Sequence, residues 1–182
     1  MSGTALVLID LQKDYFDGGA FPLQNTLAAA TNAARLIDAF HRSGRSVIHV
    51  QHHSTEEDAS FFVPGTTGVE IHQLVTPARG EAVVTKSNIN AFLDTDMKAL
   101  LDQREIDHVV VAGAMSHMCV DAFVRAASDF GYRVTVVHDA VATRDLQFAG
   151  RTVPAADVHA AFMSALAFAY AEVISTEDFL QQ

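Results

Sequence analysis

A carboxylate at Asp10, an amine at Lys86 and the chain's one thiol, Cys119, are the kinds of group that acyl transfer needs. A thiol supplies the nucleophile, a carboxylate takes its proton and returns it to a departing amine, and an ammonium favours negative charge on either. Cys119 stands just inside the start of a helix expected over residues 118–130, after the turn GAMSHM. A helix start presents unpaired N–H groups and the positive end of the helix dipole, which predicts a thiolate stabilised there by the helix tip and by Lys86. Those same amides could bind the oxyanion formed when sulfur attacks a carbonyl. Each residue alone also has an ordinary structural use, as a buried cysteine, a helix-capping aspartate or a solvated lysine. Their convergence carries the reading.

That convergence follows from the elements around them. Short apolar runs, read as strands at residues 5–9, 46–50, 82–85, 108–112, 133–137 and 172–174, alternate with helical periodicity over 26–41, 96–103, 118–130 and 155–169. Runs such as ALVLI and HVVVA are apolar without alternation, which means burial on both faces of a sheet. Strand–helix alternation along the whole length implies right-handed βαβ units. The fold class expected is therefore α/β: a three-layer α/β/α sandwich with a doubly wound, mostly parallel six-stranded sheet, in one domain over residues 1–182. Such sheets bind ligands beyond the C-terminal ends of their strands. Asp10, His52, Lys86 and the 113–119 turn follow the first four strands, so all are expected on one edge. Residues 52–80 show no period and contain Pro64, Gly65, Gly68 and Pro77; excursions of that length usually serve a site.

Composition narrows the class. With 182 residues, 49% apolar and 19% charged, the chain can bury a core. A formal net charge of −10 argues against nucleic acid and against anionic membrane surfaces as partners. No run reaches the roughly 18 apolar residues of a membrane-spanning helix. The opening MSGTALVLID lacks a basic stretch followed by a long apolar one, and a lone cysteine excludes an internal disulfide. A cytoplasmic location is expected.

The segments LVLIDLQKDYF (6–16), VTKSNINAFLDTDMKALL (84–101) and VVVAGAMSHMCVDAFVRAASDFGYRVTVVHDAVAT (109–143) resemble, in order and spacing over nearly the full chain, the isochorismatase-like cysteine hydrolase family. That family includes nicotinamidases, N-carbamoylsarcosine and ureidoacrylate amidohydrolases and streptothricin hydrolase. The resemblance implies an Asp10–Lys86–Cys119 triad that hydrolyses a non-peptide C–N bond of a small molecule (amide, carbamoyl or lactam-type) through a thioester. It also implies a non-proline cis peptide at Ala114–Met115, with the Met115 and Cys119 amides forming an oxyanion hole. Ser116 stands where the family commonly has Thr, and keeps the hydroxyl.

Alternatives within the family are a metal-dependent nicotinamidase and a vinyl-ether hydrolase; outside enzymes, a small-molecule-binding relative. In nicotinamidases an Asp-x-His after the second strand helps to bind a metal, but here the stretch reads HVQHHST (49–55), with His52 in place of the Asp and Ser54 in place of the His. His52, His53 and His72 could still group, since imidazole suits Zn or Fe, yet no tight ligand spacing supports it; no metal and no cofactor are expected. His52 is expected to line the pocket. The resemblance also favours Phe16 and Phe92, six residues past Asp10 and Lys86, as pocket walls, and Ala114 among the substrate-binding positions. Neither a G-x-G-x-x-G after the first strand nor a Walker A motif is present, which argues against nucleotide binding. Family likeness further implies a homo-oligomer, dimer or tetramer, with the Ala-rich stretch 159–171 one surface that could serve it.

Overall fold

The computed structural model describes residues 3–182. Its central sheet holds β1 (Gly3–Ile9), β2 (Ser46–His52), β3 (Ala82–Lys86), β4 (Ile106–Ala114), β5 (Arg133–Ala142) and β8 (Glu172–Ile174), in the order β3-β2-β1-β4-β5-β8. Every pairing is parallel, so the sheet is more uniform than the mostly parallel one expected. The order reverses at β1, whose neighbours β2 and β4 lead the chain to opposite edges. This is the switch point at which doubly wound sheets carry their sites.

The two faces of β1 explain its unbroken apolar run. Ala5, Val7 and Ile9 pack with Val120, Phe123 and Val124 of α3 (Cys119–Asp129), Met97 and Leu101 of α2 (Met97–Gln103) and Leu166 of α4 (Ala155–Ala169). Leu6 and Leu8 pack on the other side with Ala33, Leu36 and Phe40 of α1 (Thr26–Arg42) and Phe179 of α5 (Thr176–Leu180). Side chains alternate faces along a strand, and here both faces meet a helix layer. The result is the three-layer sandwich. None of the described helices is long and apolar enough to cross a membrane.

Three features were not foreseen. A short antiparallel hairpin joins β6 (Leu146–Phe148) to β7 (Arg151–Val153). β5 runs on to Ala142, past the polar pair His138 and Asp139 that closes its apolar stretch. Asp139 has a reason to be there: its Oδ1 accepts the N–H and the hydroxyl of Thr176, both at 2.7 Å, at the start of α5, the third such feature.

The excursion over residues 52–80 is folded back onto the ends of β1 and β2 by buried polar groups. Gln12 donates from Nε2 to the carbonyls of His52 (2.8 Å) and Val69 (2.7 Å) and accepts the His52 N–H (2.8 Å). Asp14 accepts the N–H of Phe62 at 2.6 Å, while its own N–H donates to the carbonyl of Gly68 at 2.9 Å. A satisfied network of this kind specifies one loop path. At Gly113 the backbone has a φ of +130°, and a Cβ would collide with the carbonyl oxygen of Ile9. Only glycine lets β4 close so tightly on β1, and that contact brings the turn before α3 against Asp10.

Candidate active site

Asp10, Lys86 and Cys119 come from the end of β1, the end of β3 and the first residue of α3, and meet at the sheet's C-terminal edge. All three are buried, with Asp10 fully so. The Lys86 Nζ lies 2.9 Å from Asp10 Oδ2 and 3.2 Å from Cys119 Sγ, 2.7 Å from His52 Nδ1 and 3.1 Å from the Asn88 carbonyl. An ammonium has three hydrogens. His52 and Asn88 take two, and Cys119 and Asp10 Oδ2 share the third, which leaves Asp10 Oδ1 without a donor among the described residues. A fully buried carboxylate with one oxygen free is a proton acceptor in waiting.

The electrostatics correct one expectation. Burial pushes the Cys119 thiol above its ordinary range, and the Asp10 carboxylate adds to that push, while the Lys86 ammonium opposes it without prevailing. Sulfur therefore rests as a thiol, and the helix tip and the lysine do not hold it as a thiolate. Burial, the largest single influence, lowers Lys86, but Asp10 and Cys119 together outweigh it, and the amine stays protonated. The resting arrangement is carboxylate, ammonium and thiol, with proton transfer left for the reaction itself. One consequence is measurable. The rate of Cys119 alkylation by iodoacetamide should keep climbing with pH through about 8.5, where an ordinary thiol is half ionised, rather than level off near neutrality. A plateau below pH 7.5 would mean a preformed thiolate.

The peptide between Ala114 and Met115 is cis, where the resemblance placed it. Ser116 N–H donates to the Ala142 carbonyl (3.1 Å) and Met118 N–H to that of Met115 (3.0 Å), fixing the turn. Among the described residues no hydrogen bond engages the N–H of Met115 or of Cys119. Ala114 itself is fully buried at the end of β4.

His52 is drawn into the site more closely than a pocket wall would be, with Nδ1 on the lysine. Burial first, and the neighbouring ammonium after it, lower its pKa to about 4, so the ring is neutral. Phe16 and Phe92 are placed otherwise. Phe16 stacks on His72, ring centroids 3.7 Å apart, and lines an outer groove of about 730 Å³ together with Leu23, Thr26 and Asn32 of the α1 region. No triad residue borders that groove. Phe92 stacks on Phe123 at 4.9 Å and meets Phe130 edge-on, so its ring packs α3. The loop wall near the triad is instead Tyr15 and Phe62, 4.5 Å apart, clustered with Ala114, Met115 and Met118. Burial raises the Tyr15 phenol, and so does the charge of Asp10, which keeps it protonated. A 3₁₀ turn over Lys13–Tyr15 decides that Tyr15 and not Phe16 turns inward.

The grouping of His52, His53 and His72 that the sequence left open does not form among the described residues. His72 is occupied by Phe16, and His53 N–H donates to the Lys86 carbonyl at 2.8 Å. Among the described residues the one set of metal-type donors is Asp10, His52 and Cys119, within 4.8 Å of one another. All three surround Lys86 Nζ, and the ammonium fills the space a cation would need.

Known proteins resemble the chain over nearly its whole length. The family model of the isochorismatase domain matches residues 4–178. An isochorismatase-family protein of Bacillus subtilis is 48% identical over 178 residues, covering 98% of this chain and 99% of that one. The maleamate amidohydrolase of Pseudomonas putida is 28% identical over 196 residues, covering 98% of this chain and 85% of that one. A crystal structure from Oleispira antarctica, assigned to the isochorismatase hydrolases, superposes with a TM-score of 0.96 at 52% identity, covering 100% of this chain and 97% of that one.

Proposed function

Because this chain belongs to the isochorismatase family of hydrolases, we propose that it is a cysteine amidohydrolase, cleaving a non-peptide C–N bond of a small molecule through a thioester on Cys119. The observation that carries this reading is one ammonium, Lys86, within 3.2 Å of both a thiol sulfur and an oxygen of a fully buried carboxylate. The amidohydrolase named among the relatives supports a C–N bond as the target.

In this mechanism Asp10 takes the thiol proton as Cys119 Sγ bonds to the substrate carbonyl carbon, and the carbonyl π pair moves to oxygen. The N–H groups of Met115 and Cys119 receive that oxyanion, a contribution of the order of 3 kcal/mol per donor in comparable sites. Lys86 offsets the charge of Asp10 before the transfer and the charge on sulfur during it. The tetrahedral adduct then collapses, the C–N pair leaves on nitrogen, and Asp10 returns the proton to the departing amine. Water next attacks the thioester while Asp10 accepts its proton; the acid departs and sulfur regains its hydrogen. Every proton passes through one carboxylate, which is why one of its oxygens must be free.

A panel of small primary amides, carbamoyl compounds and lactams, scored for ammonia or amine release, tests the proposal. At least one member is expected to turn over, with activity lost in proportion to iodoacetamide incorporated, to completion at one per chain. Release that survives full alkylation would remove the thiol from the mechanism. Tight binding of panel members without any release, unaffected by alkylation, would identify a binding protein instead.

A further inference from the structure

We infer that His52 is the positioning residue for Lys86 and that its second ring nitrogen is the site's hydrogen-bond donor to the acyl part of the substrate. This deepens the amidohydrolase reading and rests on it. The first half follows from geometry. Nδ1 lies 2.7 Å from Lys86 Nζ, and a protonated lysine has only hydrogens to offer. Nδ1 must therefore present its lone pair, since two N–H groups do not face each other at that distance. A neutral imidazole carries one hydrogen, which this contact assigns to Nε2.

The ring has little freedom to do otherwise. Its residue is clamped on both backbone sides by the buried side chain of Gln12, and Phe62 stands 5.8 Å away as a flanking wall. The charged and titratable groups that bear on it are Lys86, Asp10 and His53. Of Lys86's three hydrogens, His52 and the Asn88 carbonyl take two, and the third is shared by the sulfur and Asp10 Oδ2. Without the Nδ1 acceptor, the ammonium would turn its freed hydrogen to Asp10 as well and compete with the proton transfer that carboxylate must perform.

The second half follows from what is left over. No described residue accepts a hydrogen bond from Nε2, and His52 is only half-buried. A neutral donor with a fixed hydrogen, next to an ammonium and a thiol, suits a neutral or anionic oxygen and repels a cationic group. The substrate class that follows is an amide with an oxygen acceptor (carbonyl, hydroxyl or carboxylate) on its acyl side.

The tautomer can be read without any substrate. Long-range ¹H–¹⁵N NMR at neutral pH is expected to show the His52 ring neutral with its hydrogen on Nε2; a hydrogen on Nδ1, or an imidazolium, would overturn the inference even if amides are cleaved. Kinetics on the best amide give the other arm, in variants checked for folding by thermal unfolding. His52→Leu should lower kcat about 100-fold, the scale of a misplaced catalytic group. His52→Asn, whose amide oxygen falls near the Nδ1 position, should recover at least tenfold of that loss. Both should raise KM about tenfold for a substrate with the acyl oxygen and hardly at all for the analogue lacking it, as expected for one hydrogen bond. Wild-type kcat in His52→Leu, or equal KM changes for the two substrates, would refute it. Should His52→Leu fail to fold, the Asn variant and the NMR measurement still decide.

Discussion

Substituting Cys119 by alanine is expected to lower turnover of the best amide by about 10⁵-fold, the scale at which removal of a covalent nucleophile leaves only binding and oxyanion stabilisation. The fold should hardly notice. Sγ receives one weak hydrogen bond from Lys86 at 3.2 Å, and the residue begins α3 rather than filling its middle. Cys119→Ser is the sharper comparison, since a hydroxyl keeps an acceptor for Lys86 but is far less acidic than a thiol. It too should lose nearly all turnover. Mass spectrometry of acid-quenched wild-type enzyme should reveal an acyl increment on Cys119 that both variants lack. A Cys119→Ala protein that turns over at the wild-type rate would end the covalent mechanism.

Lys86→Met is expected to be costly in a different way. The Lys86 and Asp10 side chains are both fully buried, and Lys86 is the cation that sits on Asp10. Removing one member of a buried ion pair leaves an uncompensated charge and typically costs about 3–5 kcal/mol. The denaturation midpoint of Lys86→Met should fall accordingly, and turnover should vanish with it. Asp10→Asn on the same background removes the stranded charge, so the double variant should recover most of the stability and none of the activity. That split separates the pair's part in chemistry from its part in folding. A double variant no more stable than Lys86→Met would show that the loss is one of packing around the methylene stem.

The triad was legible because its neighbours were simple. Asp10 closes a run apolar on both faces, Lys86 ends the edge strand AVVTK, and the turn before Cys119 carries Gly113, where a strand must close on its neighbour. Strand ends that converge at a switch point then do the rest. The walls of the pocket were not legible. Whether Tyr15 or Phe16 faces the thiol is decided by one 3₁₀ turn, and an irregular segment has no period from which to read it. Phe62 reaches the site because Asp14, 48 positions earlier, holds its amide, a long-range contact without local sequence signal. The state of the sulfur was misjudged for a related reason. Sequence placed a lysine and a helix tip near it, but how completely water is excluded, and how close Asp10 comes, belong to the packed structure. His52 was placed in the pocket on its strand-end position; that it grips the lysine required seeing both.

The strand order has a consequence for how the protein is made. β1 leaves the ribosome first, yet one of its two edges is closed only by β4, with Ile9 opposite Gly113. At typical synthesis rates of roughly 5–20 residues per second, that partner emerges about 5–20 s later. For that interval the strand has a bare edge, and the face that α2, α3 and α4 will cover stays open, the condition in which strands pair with the wrong neighbour. Yield in cells should therefore depend on chaperone supply and growth temperature more than the stability of the finished enzyme would suggest.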